Sequence, residues 1–227
     1  MSIQTCPYKH VHSAQVNRIH DGRMPGFWAT ACTLDPARNY ERRRGGVVKG
    51  FIFTELLAMA ENSLSTEIVE EVLLACDLPS GGAYTSVGTY PKAELTALIL
   101  AFSERLGTSP AAFTHDLGVH LFKAFRGSHS GFFTNIDGTY DLLRRIEDEI
   151  HVEVRKLYPD AELPTFACSE PILGDLILEY RSTRGLAHLA SGLIAASIEH
   201  FKESITVQQE DISDNHNTHV IFTLHRS

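Results

Sequence analysis

Histidine is the residue type with the greatest capacity for chemistry in this chain, accounting for 12 of its 227 residues. The imidazole ring binds metal ions and exchanges protons near neutral pH. Four of these residues lie in polar segments near the C-terminus and are expected at the surface: His200, His216, His219 and His225. His151 differs because it lies within an apolar-periodic segment that predicts a long helix. Taken alone, a histidine in a helix is more often hydrogen-bonded or solvated than a ligand.

A tyrosine, a serine and an arginine alternate along a second segment, Tyr180-Arg181-Ser182-Thr183-Arg184. In an extended chain alternate side chains share a face, so Tyr180, Ser182 and Arg184 point the same way. An arginine pairs with a carboxylate through two charge-assisted hydrogen bonds, and the hydroxyls can donate to a second carboxylate. The row therefore suits a ligand with two neighbouring carboxylates, although an ordinary polar strand face has the same pattern.

A proline, Pro164, lies thirteen residues after His151, just beyond the predicted end of the helix. Together, His151, Pro164 and the alternating row resemble the H-NOX family, the haem NO-binding domains of bacterial gas sensors and soluble guanylate cyclase. The resemblance runs from Val48 to near the C-terminus. The family opens with Met-Lys-Gly before an apolar helix, and this chain has Val48-Lys49-Gly50 at that place. The spacing of 29 residues between His151 and Tyr180 agrees with the family.

The resemblance implies a cofactor, haem b (iron protoporphyrin IX), and a role for each matched residue. His151 would be the axial ligand of the iron. The haem propionates would be bound by Tyr180, Ser182 and Arg184. Pro164 would press on the plane of the haem.

The resemblance also bears on which gas is bound. Family members that hold oxygen have a distal tyrosine nine residues beyond the motif tyrosine, where this chain has Leu189. Three further residues would complete an apolar distal wall: Leu121, Ile52 and Leu56. Bound dioxygen carries partial negative charge and is poorly held without a hydrogen-bond donor, whereas nitric oxide and carbon monoxide need less help. We therefore expect a nitric-oxide sensor, unless His120 or His188 brings a donor into the pocket.

Signalling in such a domain would pass through the axial histidine. The resemblance implies that nitric oxide lengthens or breaks the bond between the iron and His151, which makes the helix from Thr139 to Tyr158 a two-state element. The chain has no nucleotide-binding glycine loop and no cyclase or kinase domain, so we expect a sensor rather than an enzyme. Its partner would be a separate histidine kinase or cyclic-di-GMP enzyme.

Three other functions fit parts of the sequence. A haem peroxidase would need a positioned distal acid–base group, and the expected distal wall is aliphatic. An oxygen or redox sensor would have the same cofactor and a different distal pocket. A zinc or other transition-metal site in the N-terminal segment would use its thiol and imidazoles, from Cys6, His10, His12 and His20.

The elements that must position these residues change type along the chain. Apolar periodicity predicts helices over 51–59, from Ile68 after the cap Ser65, from Tyr90-Pro91 to Gly107, after Ser109-Pro110, over 139–158 and over 187–203. Alternation predicts strands near 165–170, 174–184, 204–211 and 218–226. This order predicts an α+β fold: an N-terminal helical subdomain, then a small antiparallel sheet with an inserted helix, with the haem buried between them.

Residues 1–47 differ in composition from the rest. Residues 1–49 carry a formal charge of +5 and residues 50–227 a charge of −13. We interpret residues 1–47 as a poorly ordered extension or a start-site artefact, and residues 48–227 as the haem domain. The net charge of −8 disfavours nucleic-acid binding. The four cysteines form no CxxC pair, and no membrane span or signal peptide is evident, so a cytoplasmic protein is expected.

Overall fold

The computed structural model describes residues 46–172, 174–214 and 217–226. The elements in chain order are β1 (Val47–Lys49), α1 (Gly50–Ser63), α2 (Thr66–Ala75), β2 (Thr89–Pro91), α3 (Lys92–Leu106), α4 (Pro110–Ser128), a 3-10 turn (Ser130–Phe133), α5 (Thr139–Arg144), a π segment (Ile146–Ile150), α6 (His151–Leu157), β3 (Thr165–Ser169), β4 (Asp175–Ser182), α7 (Ala187–Phe201), β5 (Ile205–Asp211) and β6 (Thr218–Arg226). Helices followed by an antiparallel sheet with an inserted helix confirm the predicted α+β fold. The expectations for residues 1–45, including the candidate zinc ligands, lie outside the described residues.

Local signals in the sequence start and stop the helices of the first half. The Ser65 hydroxyl accepts a hydrogen bond from the Ile68 N–H at the start of α2, and Ser109 does the same for Ala112 at the start of α4. Gly107 ends α3 in the left-handed conformation, with φ of 66°. The prediction that a helix begins at Tyr90-Pro91 was wrong by two residues. Both residues belong to β2, which pairs antiparallel with β1.

The predicted long helix from Thr139 to Tyr158 is wrong as a single α-helix. The π segment separates α5 from α6, because the Ile150 N–H bonds to the Arg145 carbonyl and the His151 N–H to the Ile146 carbonyl. Each of these bonds spans five residues instead of four. π turns within α-helices are frequent at functional sites. Here the wider turn ends directly before His151.

The four-stranded antiparallel sheet has the order β3-β4-β6-β5 and presents one apolar face to α7. Its centre is formed by β4 and β6, where Leu176 faces Leu224 and Leu178 faces Phe222. The apolar side chains of these strands are fully buried and pack against Ala190 and Ile194 of α7. The strands lie within two residues of their predicted positions. Within the described ranges, no helix is long and apolar enough to cross a membrane.

Helices α4 and α7 cross at a contact between two glycines. A Cβ atom on Gly192 would lie 1.9 Å from the His115 carbonyl oxygen, and one on Gly118 would lie 2.2 Å from the Leu189 carbonyl oxygen. Both obstacles are backbone atoms, which cannot rotate away. The two helices can therefore approach this closely only because neither residue has a side chain.

We predict that Gly192→Ala lowers the free energy of unfolding by about 1–3 kcal/mol, since the added methyl must push two helices apart. Gly127→Ala is the control, because Gly127 lies in α4, the other helix of the crossing, and a Cβ there would meet no atom within 4 Å. Urea unfolding of the two variants and the wild type measures the difference. Equal stability of Gly192→Ala and the wild type would contradict the close crossing.

Candidate functional site

A cavity of about 270 Å³ lies where the helices meet the sheet. Its wall is almost entirely apolar and comes from both halves of the fold: Phe51, Ile52, Leu121, Phe122, Phe125, Phe133, Leu142, Leu143, Ile146, Ile150, Val154, Leu163, Phe166, Leu178, Leu189, Ala190, Leu193 and Ile194. Two lining residues are polar, His151 and Ser197. The Ser197 hydroxyl donates to the Ile194 carbonyl at 2.7 Å within its own helix. An imidazole is thus the main polar group facing an apolar space.

His151 is buried and held from one side of its ring. Its Nδ1 lies 3.0 Å from the Glu147 Oε1, one helical turn earlier. The same oxygen accepts the Phe166 backbone N–H at 2.9 Å, which ties the helix to the start of β3. Because a carboxylate only accepts, Nδ1 carries the proton and Nε2 keeps its lone pair. This tautomer is the one a metal ligand needs.

The charges around His151 act in opposite directions on its pKa. Burial lowers the pKa of His151, while the Glu147 carboxylate raises it. The guanidinium groups of Arg155 and Arg184 add to the lowering. The direction is downward overall, which favours the neutral ring that can bind a metal. Sequence reasoning missed Glu147, although an acid four residues before a helical histidine is the available signal.

The side chains of the alternating row lie on one face, as the sequence predicts. Tyr180, Ser182 and Arg184 are buried, while Arg181 between them is exposed and pairs with Glu179. The strand itself ends at Ser182, two residues earlier than predicted. The Arg184 N–H donates to the Ser182 hydroxyl at 3.0 Å, and this turn keeps Arg184 on the buried side.

The row lies beside the cavity and does not line it. The Tyr180 ring packs edge-on against Phe166, with 5.4 Å between ring centroids, and Phe166 packs against His151 at 5.8 Å. Burial lowers the pKa of the Arg184 guanidinium. Within the described part of the chain, no carboxylate lies within 4.0 Å of that guanidinium. A buried arginine without an acid is costly, so the site is suited to an acidic ligand.

The proline and one leucine of the predicted site lie away from the cavity wall. Pro164 is half-buried between Leu163 and the start of β3, and only Leu163 lines the cavity. Leu56 is fully buried on the face of α1 that packs into the helical core with Phe53 and Ala60. Leu56 lies one turn beyond Ile52 and is not among the residues that line the cavity.

The rest of the predicted distal wall lines the cavity. Ile52, Leu121 and Leu189 are all lining residues. The two histidines that were possible donors are not. The His120 Nε2 lies 2.9 Å from the Glu55 carboxylate, and His188 is exposed. Among the described lining residues only His151 and Ser197 are polar, and the Ser197 hydroxyl is used within its helix. The polar atom left for a ligand is therefore the Nε2 of His151.

Comparison with known proteins agrees with this geometry. A sequence model described as "Haem-NO-binding" matches residues 49–209. The chain belongs to the H-NOX family. Members of this family are haem-based gas sensors, and the chain is accordingly a haem-binding sensor domain.

Several solved H-NOX structures share the fold. The unliganded Fe(II) H-NOX protein from K. algicida is 35% identical with a TM-score of 0.74, covering 79% of this chain and 97% of that one. The H-NOX from Shewanella woodyi in the Fe(II)CO state is 36% identical with a TM-score of 0.69, over 79% and 95%. The Fe(II)NO H-NOX protein from S. oneidensis is 26% identical with a TM-score of 0.72, over 79% and 99%. A search of curated proteins finds no match.

The residues present fit a haem group. An apolar cavity suits the porphyrin, the unblocked Nε2 of His151 suits an iron, and the buried Arg184 without an acid suits a propionate. These three observations come from different elements, α6, the wall of the cavity and the turn after β4. They agree on one cofactor.

We predict that Glu147→Gln lowers the pKa of His151 in the haem-free protein, because the amide removes the negative charge that raises it. NMR titration of the ring protons measures this pKa, with the His151 signal identified by its absence in a His151 variant. Glu149→Gln is the control, since Glu149 is exposed and pairs with Arg145. A His151 pKa unchanged in Glu147→Gln, or lowered equally in both variants, would contradict the hydrogen bond.

Proposed function

We propose that this H-NOX domain senses nitric oxide, with His151 as the axial ligand of haem b. The observation that carries the proposal is the distal wall of Ile52, Leu121 and Leu189, which offers no hydrogen-bond donor. Haem held by His151 would supply a ferrous iron that can bind a diatomic gas. Dioxygen needs a donor for its partial charge, and nitric oxide does not. The wall therefore favours nitric oxide and carbon monoxide over oxygen.

In this proposal the proximal side is built around Glu147. Its carboxylate holds His151 by Nδ1 and directs Nε2 into the cavity, and the bond to the Phe166 N–H fixes the carboxylate. Hydrogen bonds from the second ring nitrogen to a carboxylate raise the basicity of a metal-bound imidazole. Glu147 therefore sets both the orientation and the donor strength of His151.

In this proposal the haem propionates lie beside the alternating row on β4, next to Phe166. Arg184 supplies the positive charge and Tyr180 and Ser182 supply hydroxyl groups for the propionates. Pro164 does not line the cavity, but it follows the lining residue Leu163, and in this proposal it would contact the haem plane from that loop. Burial of Arg184 makes each hydrogen bond to a propionate stronger than it would be in water.

The helix carrying His151 is the proposed signalling element. It contains two α-helical parts joined by a π segment, and π turns within α-helices are frequent at functional sites. Release of His151 would leave its ring held only by Glu147 and free the segment to rearrange. We propose that a separate histidine kinase or cyclic-di-GMP enzyme reads this change. A peroxidase is disfavoured, since the described distal wall has no acid–base group.

We predict that His151→Gly abolishes axial ligation and that added imidazole restores it, because the free base can occupy the space left by the side chain. His120→Gly is the control, since His120 pairs with Glu55 outside the cavity. Absorption spectra of the reduced proteins, with and without imidazole, measure the ligation. An unchanged spectrum in His151→Gly would exclude the axial role of His151.

We predict that the reduced wild-type protein takes up nitric oxide and carbon monoxide and does not retain dioxygen in air. Leu189→Tyr should introduce measurable oxygen affinity, because it places a hydroxyl in the wall of the cavity. Leu189→Phe is the matched control, with the same ring and no donor. Absorption spectra of the reduced proteins before and after exposure to air measure oxygen binding. Stable oxygen uptake by the wild type would contradict the proposed selectivity.

A further inference from the structure

Lys92 is a half-buried cation beside the alternating row, and sequence reasoning gave it no role. It is the first residue of α3, and its backbone N–H bonds to the Gly46 carbonyl at 3.1 Å. A Cβ atom on Gly185 would lie 3.7 Å from the Lys92 Nζ, so the ammonium lies beside the residue that follows Arg184. A Cβ on Gly46 would lie 3.5 Å from the Arg184 Cγ. The two cations therefore occupy one corner of the fold.

Burial and a neighbouring cation both disfavour a positive charge on Lys92. Burial lowers the pKa of Lys92, and the Arg184 guanidinium lowers it further. The ammonium is also in the first turn of a 15-residue helix, where the helix dipole disfavours cations. In the described ranges no carboxylate lies within 4.0 Å of the Lys92 Nζ.

Neither Glu94 nor Glu162 forms an ion pair with Lys92 or Arg184 in the described structure. Glu94, in the same turn of α3, accepts hydrogen bonds on Oε2 from the Ser80 hydroxyl and, at 2.8 Å, from the Tyr84 hydroxyl. Glu162 raises the pKa of Arg184 from a distance, and its carboxylate accepts the Val47 N–H at 3.4 Å. The corner thus holds two cations and one nearby carboxylate, Glu162, which forms an ion pair with neither of them.

We propose that Lys92 is a second propionate-binding residue, which pairs with one haem propionate while Arg184 pairs with the other. The inference rests on the proposed placement of haem, with its acidic edge at the row of Tyr180, Ser182 and Arg184. A haem carries two propionates, and in the described structure this corner holds two cations with no carboxylate within 4.0 Å. Each propionate then has one cation with which to form a charge-assisted hydrogen bond.

Removal of the Lys92 charge should have opposite effects on the haem-free and the haem-loaded protein. Lys92→Met keeps the apolar stem and removes the charge. The haem-free variant should unfold at a higher urea concentration than the wild type, because the repulsion with Arg184 is gone. The haem-loaded variant should lose haem to apomyoglobin about 10-fold faster, the scale of one charge-assisted hydrogen bond. Lys92→Asp should lose haem faster still, because the new acid pairs with Arg184.

The matched control is Lys123→Met, because Lys123 is exposed on α4. It should release haem at the wild-type rate. Loading with haem dimethyl ester, which lacks propionate charges, should abolish the difference between Lys92→Met and the wild type. A lysine that merely supports the fold would not show this dependence on the ester.

Three outcomes separate this inference from the proposed function. Wild-type haem loss in Lys92→Met, with accelerated loss in Arg184→Met, would overturn the role of Lys92 and leave the haem placement intact. Equal acceleration by Lys92→Met with haem and with its dimethyl ester would also overturn it. Wild-type loss in both variants would contradict the placement of the propionates, whereas His151 ligation is read separately from the absorption spectrum.

Discussion

The hydrogen bond between His151 Nδ1 and Glu147 is the interaction on which the site depends. A neutral imidazole in an apolar cavity has two ring nitrogens, and only one can face the cavity as a ligand. Glu147 occupies the other and selects the tautomer. The bond from the Phe166 N–H to the same carboxylate connects this choice to the sheet. Movement of His151 is therefore coupled to both the helix and β3.

The second constraint is electrostatic and acts at one edge of the cavity. Arg184 and Lys92 are cations in partly desolvated positions, and Arg184 contributes to lowering the pKa of both Lys92 and His151. A protein that paired these cations internally would be more stable without its cofactor. With haem placed as proposed, the propionates would pair with both cations, so that part of the folding stability would come from haem binding.

Much of this arrangement is readable from the sequence, and the reasons for the failures are physical. The alternation of Tyr180, Ser182 and Arg184 predicts a shared face, because strand geometry repeats every two residues. The π segment was missed, since periodicity does not distinguish turns of four residues from turns of five. Leu56 shares a helical face with Ile52 but packs in the helical core, because periodicity does not show how far along a helix a cavity extends. Lys92 is distant in sequence from Arg184, and only the fold brings them together.

Resonance Raman spectroscopy of the haem-loaded protein tests whether His151, held by Glu147, is the ligand of the iron. The reduced, gas-free protein is prepared with ordinary and with ¹⁵N-labelled histidine. If His151 ligates the iron, we expect an iron–histidine stretching band that moves to lower frequency with the label. In Glu147→Gln this band should also lie lower, because the carboxylate no longer strengthens the imidazole as a donor. A spectrum without a label-sensitive band, or a band indifferent to Glu147→Gln, would contradict the account.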